Sequence, residues 1–131
     1  MCAMNEEQLN ALSRKIIGCC IAVHGHFGPG LFEKIYENSL MEELKCSGIN
    51  ARSQVEVELF YRGKPMGKGY FIDILVEDEI ILEIKAVNEM NPIFEAQLLS
   101  YLKLSNKKLG LLINFNSKKL ISGVQRMVNG L

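Results

Sequence analysis

Apolar residues recur along this chain with two different periods, and the points where one period gives way to the other divide it into elements. Leu9, Leu12, Ile16, Cys20 and Val23 follow helical spacing. Asn5, with Gln8 three residues on, supplies a capping-box start, so a first helix is expected from there to about His24. Gly25 to Gly30, with Pro29 inside, breaks it. A second helix follows with Phe32, Ile35, Tyr36, Leu40 and Leu44 as its apolar stripe, and Gly48 provides its stop. From Ala51 to Leu59 the odd positions are mostly apolar or small, while Arg52, Gln54, Glu56 and Glu58 take the even ones. That alternation predicts a half-exposed strand. Arg62-Gly63-Lys64-Pro65 then turns the chain.

Tyr70 to Val76 and Ile80 to Lys85 read as two buried strands, and the three residues Glu77-Asp78-Glu79 between them are short enough for a hairpin. Asn91 caps a third helix with Pro92 at its first position and Phe94, Leu98, Tyr101 and Leu102 on its apolar face. Leu109 to Phe115 and Leu120 to Val128 close the chain as two more strands. The order ααβββαββ predicts one α/β domain over residues 1–131, with a mixed central sheet.

Composition narrows this picture without redirecting it. The chain has 131 residues, 48% of them hydrophobic and 23% charged, enough for one domain with its own core. Fifteen basic and fifteen acidic residues cancel, so net charge alone directs the protein neither to nucleic acid nor to a membrane surface. Their distribution is uneven, because only Glu89 and Glu95 are acidic after Lys85. Lys107, Lys108, Lys118, Lys119 and Arg126 make that last third basic, either to meet phosphates or as solubilising charges. Cys2, Cys19, Cys20 and Cys46 have neither Cys-x-x-Cys nor metal-ligand spacing and read as small apolar fillers in a reducing, cytoplasmic compartment. No segment approaches the length needed to span a bilayer. His24 and His26 sit where a helix should end, and an interaction with its terminal carbonyls outweighs a His-x-His metal site with no third ligand.

The chemistry is concentrated in the central hairpin. A three-residue loop at 77–79 sets Asp73 directly opposite Glu83 on one face, shared by Lys85, with Ile72, Ile74, Leu82 and Ile84 on the other. Two facing carboxylates repel and interrupt an apolar hairpin, and a hard dication such as Mg²⁺, which takes one or two protein carboxylates and fills its shell with water and phosphate oxygens, suits them. Lys85 would then neutralise charge on a reacting phosphate. The same spacing equally describes an ordinary ion pair on a solvated sheet face.

Gly30-Leu31-Phe32-Glu33-Lys34-Ile35-Tyr36 resembles the signature of the GxxExxY proteins, a branch of the PD-(D/E)xK nuclease superfamily. Asp73 followed by Glu83-Ile84-Lys85 is similar to that superfamily's Asp…Glu-x-Lys core, and Gln97 to Tyr101 to the Gln-x-x-x-Tyr helix of its RecB-like members. Ile72 stands where the superfamily's name has proline. The resemblance implies a sheet flanked by helices and a metal, Mg²⁺ with Mn²⁺ as a substitute, held by Asp73, Glu83 and the main-chain carbonyl of Ile84. It also implies Glu33 close by as a further or water-mediated ligand, Gln97 hydrogen-bonding phosphate or a carboxylate, and nucleic acid as substrate, DNA ahead of RNA. Tyr36 is expected to pack, with its hydroxyl free to orient Glu33. The rivals are a catalytically silent nucleic-acid-binding module and a protein-interaction domain on the same fold.

Overall fold

The computed structural model describes residues 3–131. Helix α1 (Glu6–Phe27) begins at a reciprocal cap: the Asn5 side chain accepts from the Gln8 N–H at 2.8 Å, and the Gln8 side chain accepts from the Asn5 N–H at 2.9 Å. It runs three residues past His24, because Gly25 is tolerated inside the helix and the chain turns only at Gly28, whose φ is 67°. Helix α2 (Glu33–Cys46) buries Tyr36, Leu40 and Leu44. Phe32 and Ile35, expected on that stripe, are exposed instead, because Phe32 precedes the first helical turn and Ile35 points away from the sheet side.

The five strands are β1 (Ala51–Tyr61), β2 (Lys64–Val76), β3 (Ile80–Lys85), β4 (Leu109–Asn114) and β5 (Val124–Val128), and they lie side by side in sequence order. Only β3 and β4 are parallel, joined by helix α3 (Pro92–Ser105) as a crossover. Strand β2 starts six residues earlier than the alternation predicts, so β1 and β2 form a long ribbon around Arg62 and Gly63 whose far part is exposed on both faces. Lacking a buried face, that stretch carries no apolar period to read. The last expected strand is split: Leu120–Gly123 form a 3-10 turn and only Val124–Val128 pair with β4.

Two apolar layers hold the sheet. On one face Leu9, Ile16, Cys20, Tyr36, Leu40 and Leu44 of α1 and α2 pack on Ile74, Leu82, Ile84 and Ile113. On the other, Leu98 and Leu102 of α3 cover Ile72, Leu75, Ile81 and Leu112. The α3 layer is tight: a Cβ at Gly110 would stand 2.8 Å from a Leu98 methyl, so glycine there lets the helix approach. Cys19 and Cys20 are buried fillers, but Cys46 is exposed at the end of α2, and Cys2 lies outside the described residues. Among the described residues no helix is long and apolar enough to cross a membrane.

Candidate active site at the opening of the central hairpin

The β2–β3 hairpin is zipped at its turn and open at its far end. Val76 pairs with Ile80, Leu75 with Ile81 and Ile74 with Leu82, and there the ladder stops. The next rung would be Asp73 with Glu83. Instead, the Asp73 carboxylate reaches across and accepts from the Ile84 N–H at 2.8 Å, and Glu83 Oε1 lies 3.5 Å from the Asp73 N–H. Side-chain oxygens have replaced the carbonyl that a regular rung would offer. The alternation of β2 also breaks here, which corrects the placement of Ile72: it packs on the α3 side with Leu75, while Ile74 packs on the α1–α2 side.

Both carboxyls pay for being half in the core. Burial first, and then the charge of Asp73, push Glu83 up to about 8. Asp73 is also raised, by burial, and the Glu37 charge adds to this, while the Ile84 N–H and Lys85 pull the other way. Glu83 is 7% exposed, so its charge is poorly solvated and calls for a nearby cation. Lys85 is the neighbouring one; its Nζ sits 4.3 Å from the centre of the Phe94 ring on α3, which fixes where the ammonium stands. Tyr70 and Tyr101 stack at 3.8 Å beside this pair. Burial raises both phenols, Tyr70 to about 12, and the Glu83 and Asp73 charges add to the rise at Tyr101.

Glu33 comes to the same end of the sheet from the other layer. Gly28 and Gly30 adopt positive φ and reverse the chain between α1 and α2, and the Glu33 carboxylate then accepts from the Ala86 N–H at 3.3 Å, one residue beyond Lys85. The Tyr36 hydroxyl does not orient Glu33. It donates to the Gly28 carbonyl at 2.6 Å and accepts from the Leu31 N–H at 3.1 Å, clamping the glycine loop, while its ring stacks on Phe115. Gln97 stands on an exposed part of α3, and its side chain makes no hydrogen bond to the described residues. His24 Nε2 lies 2.8 Å from the Ser117 carbonyl and ties α1 to the turn after β4, so its partner is a distant carbonyl rather than the end of its own helix. The basic third divides: Lys107 pairs with Asp78 at the hairpin's closed end and Arg126 bonds Asn10, whereas Lys118 and Lys119 follow β4 at the end where Lys85 lies.

The sequence profile of the PD-(D/E)XK nuclease superfamily matches residues 10–127. The chain belongs to that superfamily. Its members are generally nucleases, hydrolases that act on nucleic acid and typically use divalent metals. Among solved structures, the one described as "Crystal structure of SSO0001" superposes with a TM-score of 0.56 at 24% identity, over 76% of this chain and 51% of that one. That likeness concerns the fold, and the chain spans about half the length of that protein. No curated protein is matched by the sequence.

Within a PD-(D/E)XK protein, the donor set at the hairpin opening fits a hard dication. Asp73 and Glu83 are two mutually repelling carboxylates held in one gap, and among the described residues no three His, Cys, Asp or Glu side chains converge as a metal-holding group. Mg²⁺ needs no such cage, since it is commonly bound by one or two carboxylates with water and substrate oxygens. Reasoning from the sequence missed Glu37, which is 4% exposed and whose charge bears on Asp73. It sits one turn after Glu33, a spacing that puts both on one helical face, but only its burial marks it out.

Proposed function

We propose that this protein is a divalent-metal-dependent nuclease of the GxxExxY branch, hydrolysing phosphodiester bonds at the hairpin opening. The observation that carries the reading is the pair of half-buried Asp73 and buried Glu83 at the point where β2 and β3 part, with Lys85 next to it. Asp73, Glu83 and the carbonyl of Ile84 would hold Mg²⁺, with Mn²⁺ as a substitute. Bound there, the ion would supply charge compensation for the two carboxylates and Lewis acidity at the phosphate. Lys85, braced on Phe94, neutralises charge that builds on the phosphate oxygens. Glu33, at the Ala86 N–H, stands ready to orient the attacking water or to support the metal through it. Gln97, on the open surface of α3, is available to a phosphate of the substrate strand, and Lys118 and Lys119 lie at the same end of the sheet.

DNA is taken as the substrate ahead of RNA, on the resemblance of Gln97 to Tyr101 to the helix of the RecB-like members, and the cytoplasm as the compartment, on the free thiols of Cys19, Cys20 and Cys46. The test is cleavage of end-labelled single- and double-stranded DNA and RNA with Mg²⁺, Mn²⁺ or a chelator, for the wild type and Asp73→Asn. Cleavage that needs metal and vanishes in the variant is expected. Absence of cleavage on every substrate while nucleic acid is still bound would favour a silent binding module.

A further inference from the structure

The β1–β2 ladder keeps one register across a missing rung. Ser53 pairs with Ile74 and Val55 with Ile72, yet Gln54 and Asp73 between them do not pair. Gln54 adopts a φ of 51°, left-handed backbone that a residue with a Cβ adopts at a cost and that is foreign to a strand. Such a conformation persists where surrounding contacts hold it. The contact here is specific: Gln54 Nε2 donates to Glu37 Oε1 at 2.9 Å. The other oxygen of Glu37 takes the Lys34 ammonium at 2.9 Å. A buried carboxylate with both oxygens engaged is committed to holding its partners.

The break coincides with the catalytic carboxylate. Ile72 and Ile74, two residues apart, face opposite layers, so β2 rotates at Asp73. That rotation frees Asp73 from both neighbouring ladders and lets its carboxylate accept from the Ile84 N–H. We propose that Glu37 and Gln54 are positioning residues for Asp73: their hydrogen bond holds the left-handed kink in β1 that breaks the rung and turns the Asp73 carboxylate into the gap between β2 and β3. The placement of Asp73 stands on this geometry alone, whereas its consequence for metal binding rests on the nuclease reading.

The experiment measures amide hydrogen exchange at Ile84, whose N–H reports the Asp73 contact without any metal, beside the metal concentration that gives half of the Mn²⁺-dependent rise in melting temperature. Gln54→Gly accepts the left-handed backbone without a tether, and Glu37→Gln keeps an acceptor oxygen, so both should retain slow exchange at Ile84 and the wild-type metal midpoint. Gln54→Val resists positive φ, and Glu37→Leu removes the acceptor. Both should speed exchange at Ile84 by about tenfold or more and raise the metal midpoint by a similar factor, with the amides of β4 unchanged. Should Gln54→Val fail to fold, Glu37→Leu carries the same comparison. Unchanged Ile84 exchange in the foldable variants of this second pair, or loss of protection in Gln54→Gly, overturns the proposal. If exchange responds as expected but the wild type shows no metal-dependent melting shift, the positioning stands and it is the nuclease reading that falls.

Discussion

The two ends of the β2–β3 hairpin are three rungs apart and are built on opposite principles. At the closed end Val76 and Ile80 are fully buried and paired, and the Glu77–Glu79 turn is tied down by the Glu79 N–H to the Val76 carbonyl. At the open end the rung is unmade, and two carboxyls occupy space that an apolar pair would fill more stably. The closed end contributes stability, while the open end forgoes some of it to keep charge in a poorly solvated gap, the condition under which a bound cation gains most. On the other side of β3 the contrast is plain, for β3 and β4 pair continuously from Ile80–Leu109 to Lys85–Asn114.

If that contrast is right, substitutions at the two ends should separate activity from stability. The largest effect is expected from Asp73→Asn or Glu83→Gln, which should cut metal-dependent cleavage by roughly 10³-fold or more while leaving the metal-free protein no less stable. A marked loss of metal-free stability in both would make the pair a structural ion site. Lys85→Met sharpens the same end. It removes a cation but no ligand oxygen, so the stabilisation of about 2.7 kcal/mol given by metal at a hundred times its Kd should survive, with cleavage slowed by orders of magnitude. Melting curves with and without metal, read beside cleavage rates, decide this.

At the closed end, Ile80→Ala should cost about 2–5 kcal/mol, seen as a lower denaturation midpoint with turnover per folded molecule retained. An effect of similar size comes from protons. Glu83 titrates at about 8 in the fold against 4.5 unperturbed, so the folded state holds its proton more tightly than the unfolded chain. Metal-free stability should therefore be greatest below about 4.5 as far as this group is concerned, and fall as pH rises through the window to about 8. Glu83→Gln should flatten that decline, and divalent metal at pH 8 should reverse it; a wild-type profile that stays level between pH 5 and 8 contradicts the assignment. The smallest expected change is at Glu33→Gln, about tenfold in kcat with little change in KM, because Glu33 reaches the site only at its margin, through Ala86.

Much of this was legible from residues alone. The capping box at Asn5, the Asn91–Pro92 helix start and the three-residue turn at 77–79 are local signals, and local signals fix element order and hairpin register. Register in turn brings Asp73 level with Glu83, because a strand's period of two leaves no other choice once the turn length is set. The start of β2, residues 64–69, was not legible, since residues exposed on both faces show no period, nor was the 3-10 turn at Leu120–Gly123 inside an apolar run.

What the sequence by itself determined, then, is the order of the elements and the hairpin register that brings Asp73 level with Glu83 beside Lys85. What only the tertiary structure decided is how that pair is held. Gln54 reads as an ordinary exposed strand residue and Glu37 as an ordinary solvated helix residue; they become parts of one device only when α2 packs beside β1 and their side chains meet 2.9 Å apart. The face switch between Ile72 and Ile74 and the capture of the Ile84 N–H by Asp73 follow from that meeting of distant segments. Periodicity describes how a strand behaves when its ladder is intact, and the site lies where the ladder is broken by a contact between residues seventeen apart in the chain.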